Sequence, residues 1–333
     1  MKRLFVVASM AIMAVGCQKT TVENEVLTPI GFNTEVGKQT RAIIEGTTYA
    51  DTSKFGVYAF GHQGQTTTPI MQNVEIGKIG DDWKATGTTK YYWPNDADTY
   101  INFYAYSPKG IHAQMATEGT MTLTAYEHTN FQGEDAIDFM TAVPVEEEKY
   151  GTHNGVVPVA FHHQMSQVQF VVKNSMTDAN VTFKLVSITL NNVVNKADYS
   201  NAYATNYGTW TNGATGSYTL FDNADGVIID ADGTNTKTTA ATMIPQTLVA
   251  STTPAPAVLD GSHFTVVYKI SGTGVATEEV EKSIDLKKGT LEKWEPNKKI
   301  IYTLTVDLEE ITFNPTVVDW ATPAVESGEI SIL

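Results

Sequence analysis

Apolar and polar residues alternate in short segments along most of the chain. Near the N-terminus Ile30, Phe32 and Val36 occupy positions of one parity, and glycine or polar residues stand between them. Residues 302–308 repeat the pattern near the C-terminus. A period of two predicts strands that bury one face.

Further apolar runs are bounded by Gly, Asn, Asp and Pro. They lie at residues 55–60, 100–106, 167–172, 181–190 and 264–270. Candidate helices are few and short. Short strands separated by turn residues predict an all-β fold of sandwiches rather than alternating strands and helices.

The chain of 333 residues is longer than a typical single domain. A loop-like stretch at residues 149–158 precedes a fresh alternating strand near Gln167, so the predicted boundary follows Phe161. We therefore expect an N-terminal β-sandwich at residues 28–165 and a C-terminal one at residues 166–333.

Acidic residues outnumber basic ones, 37 against 22, which gives a net charge of −15. Nucleic acids and anionic membrane faces favour basic partners. Nucleic acid is therefore excluded as the main partner. The hydrophobic content of 42% is enough to fill a core and excludes global disorder.

The N-terminus has the features of an exported lipoprotein. Lys2 and Arg3 precede a short apolar stretch, and small residues lead to Cys17, the only cysteine. The stretch is shorter than the ~20 apolar residues that a membrane-spanning helix needs. We predict a signal peptide at residues 1–16, an acylated Cys17 and a lipidated tether over residues 17–27. The alternative is an ordinary signal peptide with an incidental cysteine.

Three histidines, His153, His162 and His163, are candidate metal ligands. His162 and His163 are adjacent, however, and adjacent residues of a strand point to opposite faces. Neither they nor His153 belong to an H-E-x-x-H pattern. We predict no metal site, and expect surface or domain-junction histidines instead.

No motif indicates catalysis or a cofactor. The Asp-Gly segments 222–226 and 230–233 fail the EF-hand spacing and predict tight turns, with a loose surface Ca²⁺ site as the alternative. G-x-S-x-G and Gly-rich phosphate loops are lacking, and residues 146–148 form one acidic run typical of a solvated turn. The sequence favours a protein that is not an enzyme, with an exported hydrolase as a remote alternative.

Eight short segments in a fixed order carry a family resemblance. They are residues 40–42 (TRA), 53–60 (SKFGVYAF), 91–94 (YYWP), 103–108 (FYAYSP), 138–142 (DFMTA), 157–168 (VPVAFHHQMSQV), 243–246 (MIPQ) and 318–320 (VDW). Together they resemble the fimbrillin family of Bacteroidetes, the FimA-like and Mfa-like subunits of type V pili. Gln167 departs from the pattern, since the family more often has Lys there.

The resemblance implies two tandem transthyretin-like, Greek-key β-sandwich domains behind a lipoprotein signal peptide. It also implies cleavage after an arginine by an arginine-specific, trypsin-like protease and polymerisation by strand exchange. The chain has only two arginines, Arg3 and Arg41, and Arg3 leaves with the signal peptide. The expected cleavage is therefore between Arg41 and Ala42, in a polar loop.

Strand exchange has a physical basis in the residues. Loss of the strand with Ile30, Phe32 and Val36 would leave apolar pockets and unpaired backbone groups that another chain's strand can fill. Candidate donor residues lie near the C-terminus: Ile311, Phe313, Ile330, Ile332 and Leu333. The alternative is that this segment packs on its own subunit, and Pro315 weakens a long donor strand.

The sequence thus predicts a structural or accessory fimbrial subunit that supports adhesion and has other pilin subunits as partners. Its expected location is the cell surface, as an outer membrane lipoprotein, in the fimbrium, or both. The alternative is an anchored lipoprotein that does not polymerise and binds glycans through exposed aromatic residues such as Tyr207 and Trp210.

Substitution of Cys17 tests the lipoprotein hypothesis. Cys17→Ala should abolish labelling by radioactive palmitate and block delivery to the cell surface, because the thiol is the acylated group. The protein should still fold, since Cys17 precedes the first predicted strand. Gln18→Ala is the matched control and should label normally. Palmitate incorporation into Cys17→Ala would contradict the hypothesis.

Overall fold

The computed structural model describes residues 27–36, 49–176, 178, 180–253, 259–273, 275–308 and 311–320. Over these ranges the chain forms strands and one short 3-10 turn, Lys109–Ile111. The predicted all-β class is confirmed. Within the same ranges no helix is long and apolar enough to cross a membrane.

Eleven strands lie before the predicted boundary. They are β1 (Gly31–Val36), β2 (Lys54–Gln63), β3 (Thr66–Ile79), β4 (Asp82–Ala85), β5 (Tyr100–Ser107), β6 (Gln114–Thr117), β7 (Thr120–Glu127), β8 (Met140–Ala142), β9 (Val145–Glu148), β10 (Tyr150–His153) and β11 (Val156–His163). Strands predicted from alternation at residues 30–36, 55–60 and 100–106 correspond to β1, β2 and β5.

Ten strands follow. They are β12 (Ser166–Asn174), β13 (Val181–Asn201), β14 (Thr209–Ile228), β15 (Ala241–Met243), β16 (Gln246–Thr247), β17 (His263–Gly272), β18 (Val275–Asp285), β19 (Lys293–Trp294), β20 (Lys298–Val306) and β21 (Ile311–Asp319). The predicted strands at residues 167–172, 181–190, 264–270 and 302–308 correspond to β12, β13, β17 and β20.

The first sheet has the strand order β2-β3-β4-β1-β11-β8-β5-β9, and β2 also pairs with β5. The β2–β5 pairing closes a ring of seven strands, with β9 outside it. Strand β1 is therefore an inner strand, parallel to β11 and antiparallel to β4. Its position matters because an inner strand cannot be removed without opening the sheet.

The second half contains a four-stranded sheet, β15-β12-β20-β21, in which β21 is an edge strand. Facing it is a sheet of order β18-β17-β13-β7-β6, and β14 pairs with β13 along its length. A further pair, β16 and β19, completes the half. The hairpin β6–β7 of the first half thus joins a sheet of the second, and the division at residues 165 and 166 stays a prediction.

The predicted turn at residues 222–226 lies inside β14. The register of β13 against β14 shifts there, so the chain bulges out of the ladder. The Asn223 Oδ1 atom accepts the backbone amides of Asp225 and Gly226, at 3.2 and 3.1 Å. The turn chemistry is therefore present, but as a bulge within a strand rather than at its end.

Buried apolar side chains form three clusters. One fills the closed first sheet, and another lies between the two sheets of the second half. The third joins the halves and contains Met165, Tyr199 and Trp320 among others. Since each half contributes side chains to this third cluster, burial at the junction ties the halves together.

His163 is buried and packs against the Trp320 ring of this cluster. Its ring stacks on Trp320 with centroids 4.4 Å apart, and Nδ1 is 2.8 Å from the Asp138 carboxylate. His162, its neighbour on β11, is only partly buried on the other face. Among the described residues, no group of three or more His, Cys, Asp or Glu could hold a metal ion.

His128 is a second buried histidine. Its Nε2–H donates to the Thr242 carbonyl at 2.8 Å, and its Nδ1 accepts from the Tyr126 hydroxyl at 2.9 Å. These partners fit a neutral ring protonated at Nε2. Burial lowers the pKa of His128 from 6.5 to about 4, although the bond to Thr242 partly opposes the shift.

Stability should therefore fall in acid. In the unfolded chain His128 takes up a proton near pH 6.5, whereas in the folded protein it does so only near pH 4. Protonation thus favours the unfolded state across this window, at a total cost of about 3 kcal/mol. His128→Gln should flatten this part of the pH dependence in urea unfolding. The exposed His112→Asn serves as control, and an unchanged pH dependence in His128→Gln would contradict the assignment.

Candidate strand-exchange site

Strand β1 and Ile30, the residue directly before it, are the residues predicted to be exchanged. Ile30 and Phe32 are each only 4% exposed. The backbone of Val36 pairs in register with Phe161 of β11. The predicted lipidation and cleavage positions Cys17, Arg41 and Ala42, and the C-terminal Ile330, Ile332 and Leu333, lie outside the described residues.

Both edges of β1 are hydrogen-bonded. The parallel ladder to β11 has six pairs, from Gly31–Val156 to Val36–Phe161. At its start the Gly31 amide donates to the Gly155 carbonyl at 3.4 Å, and the preceding Ile30 amide donates to Tyr91 at 2.9 Å. The successive amides of Ile30 and Gly31 therefore point to opposite sides, and within β1 Phe32 pairs with Trp83 of β4, as expected for an inner strand.

Phe32 fills an aromatic pocket in the first sheet. Its ring meets Phe55 at 6.0 Å and Phe103 at 5.9 Å between centroids, with interplanar angles of 87° and 85°. Such edge-to-face pairs contribute about 0.5–1.5 kcal/mol beyond the burial of area. The ring thus anchors β1 to strands β2 and β5, neither of which is its neighbour in the ladder.

Trp93 fixes the chain where it enters β1. Its backbone amide donates to the Thr28 carbonyl at 3.0 Å, and its indole Nε1–H donates to Gly155 at 2.9 Å. Gly155 has a φ of +81°, and a Cβ there would lie 3.4 Å from the Trp93 Nε1 atom. A glycine therefore suits the turn that precedes β11.

Tyr49 anchors the chain on the far side of residues 37–48. It is 1% exposed, its ring stacks on Phe161 at 5.2 Å, and its hydroxyl lies 2.7 Å from Ser107 Oγ. Burial raises the pKa of the Tyr49 hydroxyl above its usual value. The segment with Arg41 thus connects two well-anchored points, β1 and Tyr49.

The candidate donor residues of β21 lie on their own subunit. Strand β21 pairs with β20 over nine residues, from Val306–Ile311 to Lys298–Asp319. Ile311 and Phe313 are half-buried, and the Phe313 ring meets Phe264 at 5.6 Å. The Lys288 ammonium lies 4.2 Å from the Phe313 ring centroid. Residues 311–319 therefore pack on their own subunit, which the sequence analysis gave as the alternative to a donor role.

The aromatic residues considered for glycan binding contact the protein itself. The Trp210 indole donates to the Gln164 carbonyl at 2.8 Å, and its ring lies 4.9 Å from Tyr199. The Tyr207 hydroxyl accepts from Asn297 Nδ2 at 2.9 Å. Both side chains are partly buried at the junction, so the structure gives this alternative no support.

Sequence reasoning did not identify the residues that receive β1. Phe55, Trp93 and Phe103 belong to segments that carry the family resemblance, but nothing in their spacing says that they meet Phe32. The parallel pairing of β1 with β11 also went unpredicted. No signal in the sequence indicated this pairing, because β11 buries only alternate residues, as a strand of either orientation can.

Truncation of Phe32 measures how firmly β1 is held. Phe32→Ala should lower the free energy of unfolding by about 3–5 kcal/mol, because it empties a pocket between two aromatic rings. Asn33→Ala is the matched control, since Asn33 is exposed on the same strand, and should change it by less than about 0.5 kcal/mol. Urea denaturation of both variants gives the comparison. Equal effects would contradict the anchoring role of Phe32.

Two solved structures have a fold similar to that of this chain. A fimbrial protein from Bacteroides vulgatus ATCC 8482 superposes with a TM-score of 0.59 at 19% identity, over 88% of this chain and 99% of that chain. A putative cell adhesion protein from Bacteroides uniformis ATCC 8492 gives 0.54 at 18% identity, over 88% and 99%. At such identities the similarity shows a shared fold.

The curated proteins contain no match to the sequence. The sequence model of the family described as fimbrillin-like, by contrast, matches residues 40–320. This range covers most of the chain and includes every segment that carried the resemblance, which is thereby confirmed. The chain belongs to the fimbrillin-like family.

Proposed function

We propose that the protein is a structural or accessory subunit of a cell-surface fimbria, exported as a lipoprotein acylated at Cys17. Its two halves act as tandem transthyretin-like sandwiches. Cleavage after Arg41 frees β1, and subunits then polymerise by strand exchange and support adhesion. Membership of the fimbrillin-like family supports the fimbrial role. The inner position of β1 supports the mechanism.

The observation that carries the proposal is the inner position of β1 at the N-terminal side of Arg41. Departure of β1 removes a six-pair ladder from β11 and exposes Phe55 and Phe103. The result is an apolar groove with an unpaired strand edge. Such an edge is a template for an added strand, since backbone bonds supply affinity and pockets supply specificity.

Cleavage acts by changing how β1 is held. In the intact chain β1 is tethered to the sheet, so it rebinds at a high effective concentration whenever it leaves. A cut after Arg41 removes the tether, and β1 then competes with any other strand on equal terms. A donor strand can displace it only after the cut, which restricts assembly to processed subunits.

The extent of the family match is consistent with this division. The match begins at residue 40, after β1 and next to Arg41. The part of the chain that the family shares is thus close to the part that remains after the proposed cleavage. An arginine-specific protease and other pilin subunits are the partners that follow, with the outer membrane reached through the lipid.

The proposed cleavage predicts a single cut by an arginine-specific protease. The folded precursor should give a product whose N-terminal residue is Ala42, and this product should form SDS-resistant ladders. Arg41→Ala should remain a lipidated monomer, because Ile30 and Phe32 still fill the groove. Lys38→Ala, in the same connecting segment, is the control and should be processed normally.

N-terminal sequencing and gel electrophoresis of surface extracts read out both steps. If Arg41→Ala assembles as efficiently as the wild type, cleavage-triggered strand exchange is not the mechanism.

A further inference from the structure

A surface cleft of about 270 Å³ lies where the two halves of the molecule meet. One side is formed by β5 and by the chain from the end of β8 into β9, which belong to the first sheet. The other side is formed by the β6–β7 turn and the residues directly after β13, and both of these strands belong to a sheet of the second half. A ligand in this cleft therefore contacts both halves.

Two carboxylates give one end of the cleft a negative charge. Glu146 is exposed and lines the cleft. Glu118 directly precedes Gly119, which also lines it, and the Glu118 Oε1 atom accepts from Asn102 Nδ2 at 2.8 Å and lies 2.9 Å from His62 Nε2. Within the described ranges no lysine or arginine forms an ion pair with either carboxylate. Charge at this end is thus available to a ligand.

The Tyr104 hydroxyl reaches the same end of the cleft. The side chain is 3% exposed, and the hydroxyl donates a long bond of 3.5 Å to Glu118 Oε1. A Cβ on Gly119 would lie 4.0 Å from this hydroxyl oxygen. Burial and the charges of Glu118 and Glu146 raise the pKa of Tyr104 above its usual value. Carboxylates that oppose the ionisation of a phenol create a potential that favours a cation.

The rest of the cleft offers apolar surface. Val143 is 40% exposed, and Pro144 follows it in the wall. The Tyr203 hydroxyl contacts the Met121 sulfur at 3.6 Å, and its ring lies 5.5 Å from the Tyr104 ring. Apolar walls beside a charged end suit a side chain that has a methylene stem and a charged head.

Two strained residues hold the walls in place. Tyr203 has a φ of +57° and Glu147 a φ of +56°, in the left-handed region that such residues seldom adopt. The Tyr203 amide donates to Asn201 Oδ1 at 2.7 Å, and the Glu147 amide donates to Asn102 Oδ1 at 2.8 Å. Backbone strain of this kind is found at ligand-binding sites, where it fixes the geometry before the ligand arrives.

We infer that the cleft binds the side chain of a lysine exposed on another protein. The ammonium group has three N–H donors, and the acceptors at the charged end are the Glu118 and Glu146 carboxylates and the Tyr104 hydroxyl oxygen. The methylene stem lies against Val143 and Pro144. The cleft shares no residue with the groove that holds the exchanged strand, so this inference does not depend on strand exchange.

A single ammonium on an apolar stem matches the cleft better than other ligands do. Sugars stack on exposed ring faces, whereas Tyr104 is buried and Tyr203 partly buried. A free diamine would bring its second ammonium against the apolar surface of Val143 and Pro144, where a charge is costly. The chemistry of the walls therefore favours a lysine on a protein surface.

A ligand-observed NMR titration of the full folded chain tests the inference. The probe is lysine capped as Nα-acetyl-lysine N-methylamide, and the matched norleucine compound, which lacks the ammonium, should bind at least about tenfold more weakly. Glu146→Gln should weaken binding of the capped lysine about fivefold, because one ion pair is lost. Glu134→Gln removes an exposed carboxylate outside the cleft and should change the affinity by less than about twofold.

Four outcomes would overturn the inference. Equal weakening by Glu146→Gln and Glu134→Gln would show general attraction to the net charge of −15 instead of a site. Norleucine binding as tight as that of lysine would show an apolar site. Tighter binding of 1,5-diaminopentane than of the capped lysine would identify a free polyamine as the ligand. Displacement of the capped lysine by a methyl glycoside would identify a glycan site.

Discussion

The insertion of Phe32 between Phe55 and Phe103 is the contact on which the first sheet depends. It holds a six-residue strand in the middle of a closed ring, where both strand edges are hydrogen-bonded. An inner strand at the end of a chain is a weak point in a sheet, because its removal breaks two ladders and opens a core. Here the covalent connection from the strand to the strands that follow it runs through the segment that contains Arg41.

The rest of the first half is held together by contacts that do not involve β1. The pairing of β2 with β5 does not involve β1, and the hairpin β6–β7 is bonded to β13 of the second half. The junction cluster adds buried contacts around Met165 and Tyr199. Loss of β1 would therefore leave a groove in a framework that is still supported from two sides, which is what strand replacement requires.

The sequence was informative where one strand face is buried and uninformative about pairing. Alternation located β1 and β20 because each strand buries one parity of residues against a single core. It did not show the full length of β13, since residues beyond 190 are kept in strand conformation by β14 and β7. Similarly, Ile30 and Phe32 were predictable as buried residues. The pocket around them was not, because periodicity says which face is buried and not which strands meet there.

Trp320 anchors the end of β21 in its own subunit. It directly follows β21, is 1% exposed and stacks on His163, whose ring is bonded to Asp138. Drawing β21 out of its subunit would expose this indole and break nine backbone pairs to β20. The end of β21 is thus held in two ways, by its nine-residue ladder to β20 and by a ring buried in the cluster that joins the two halves.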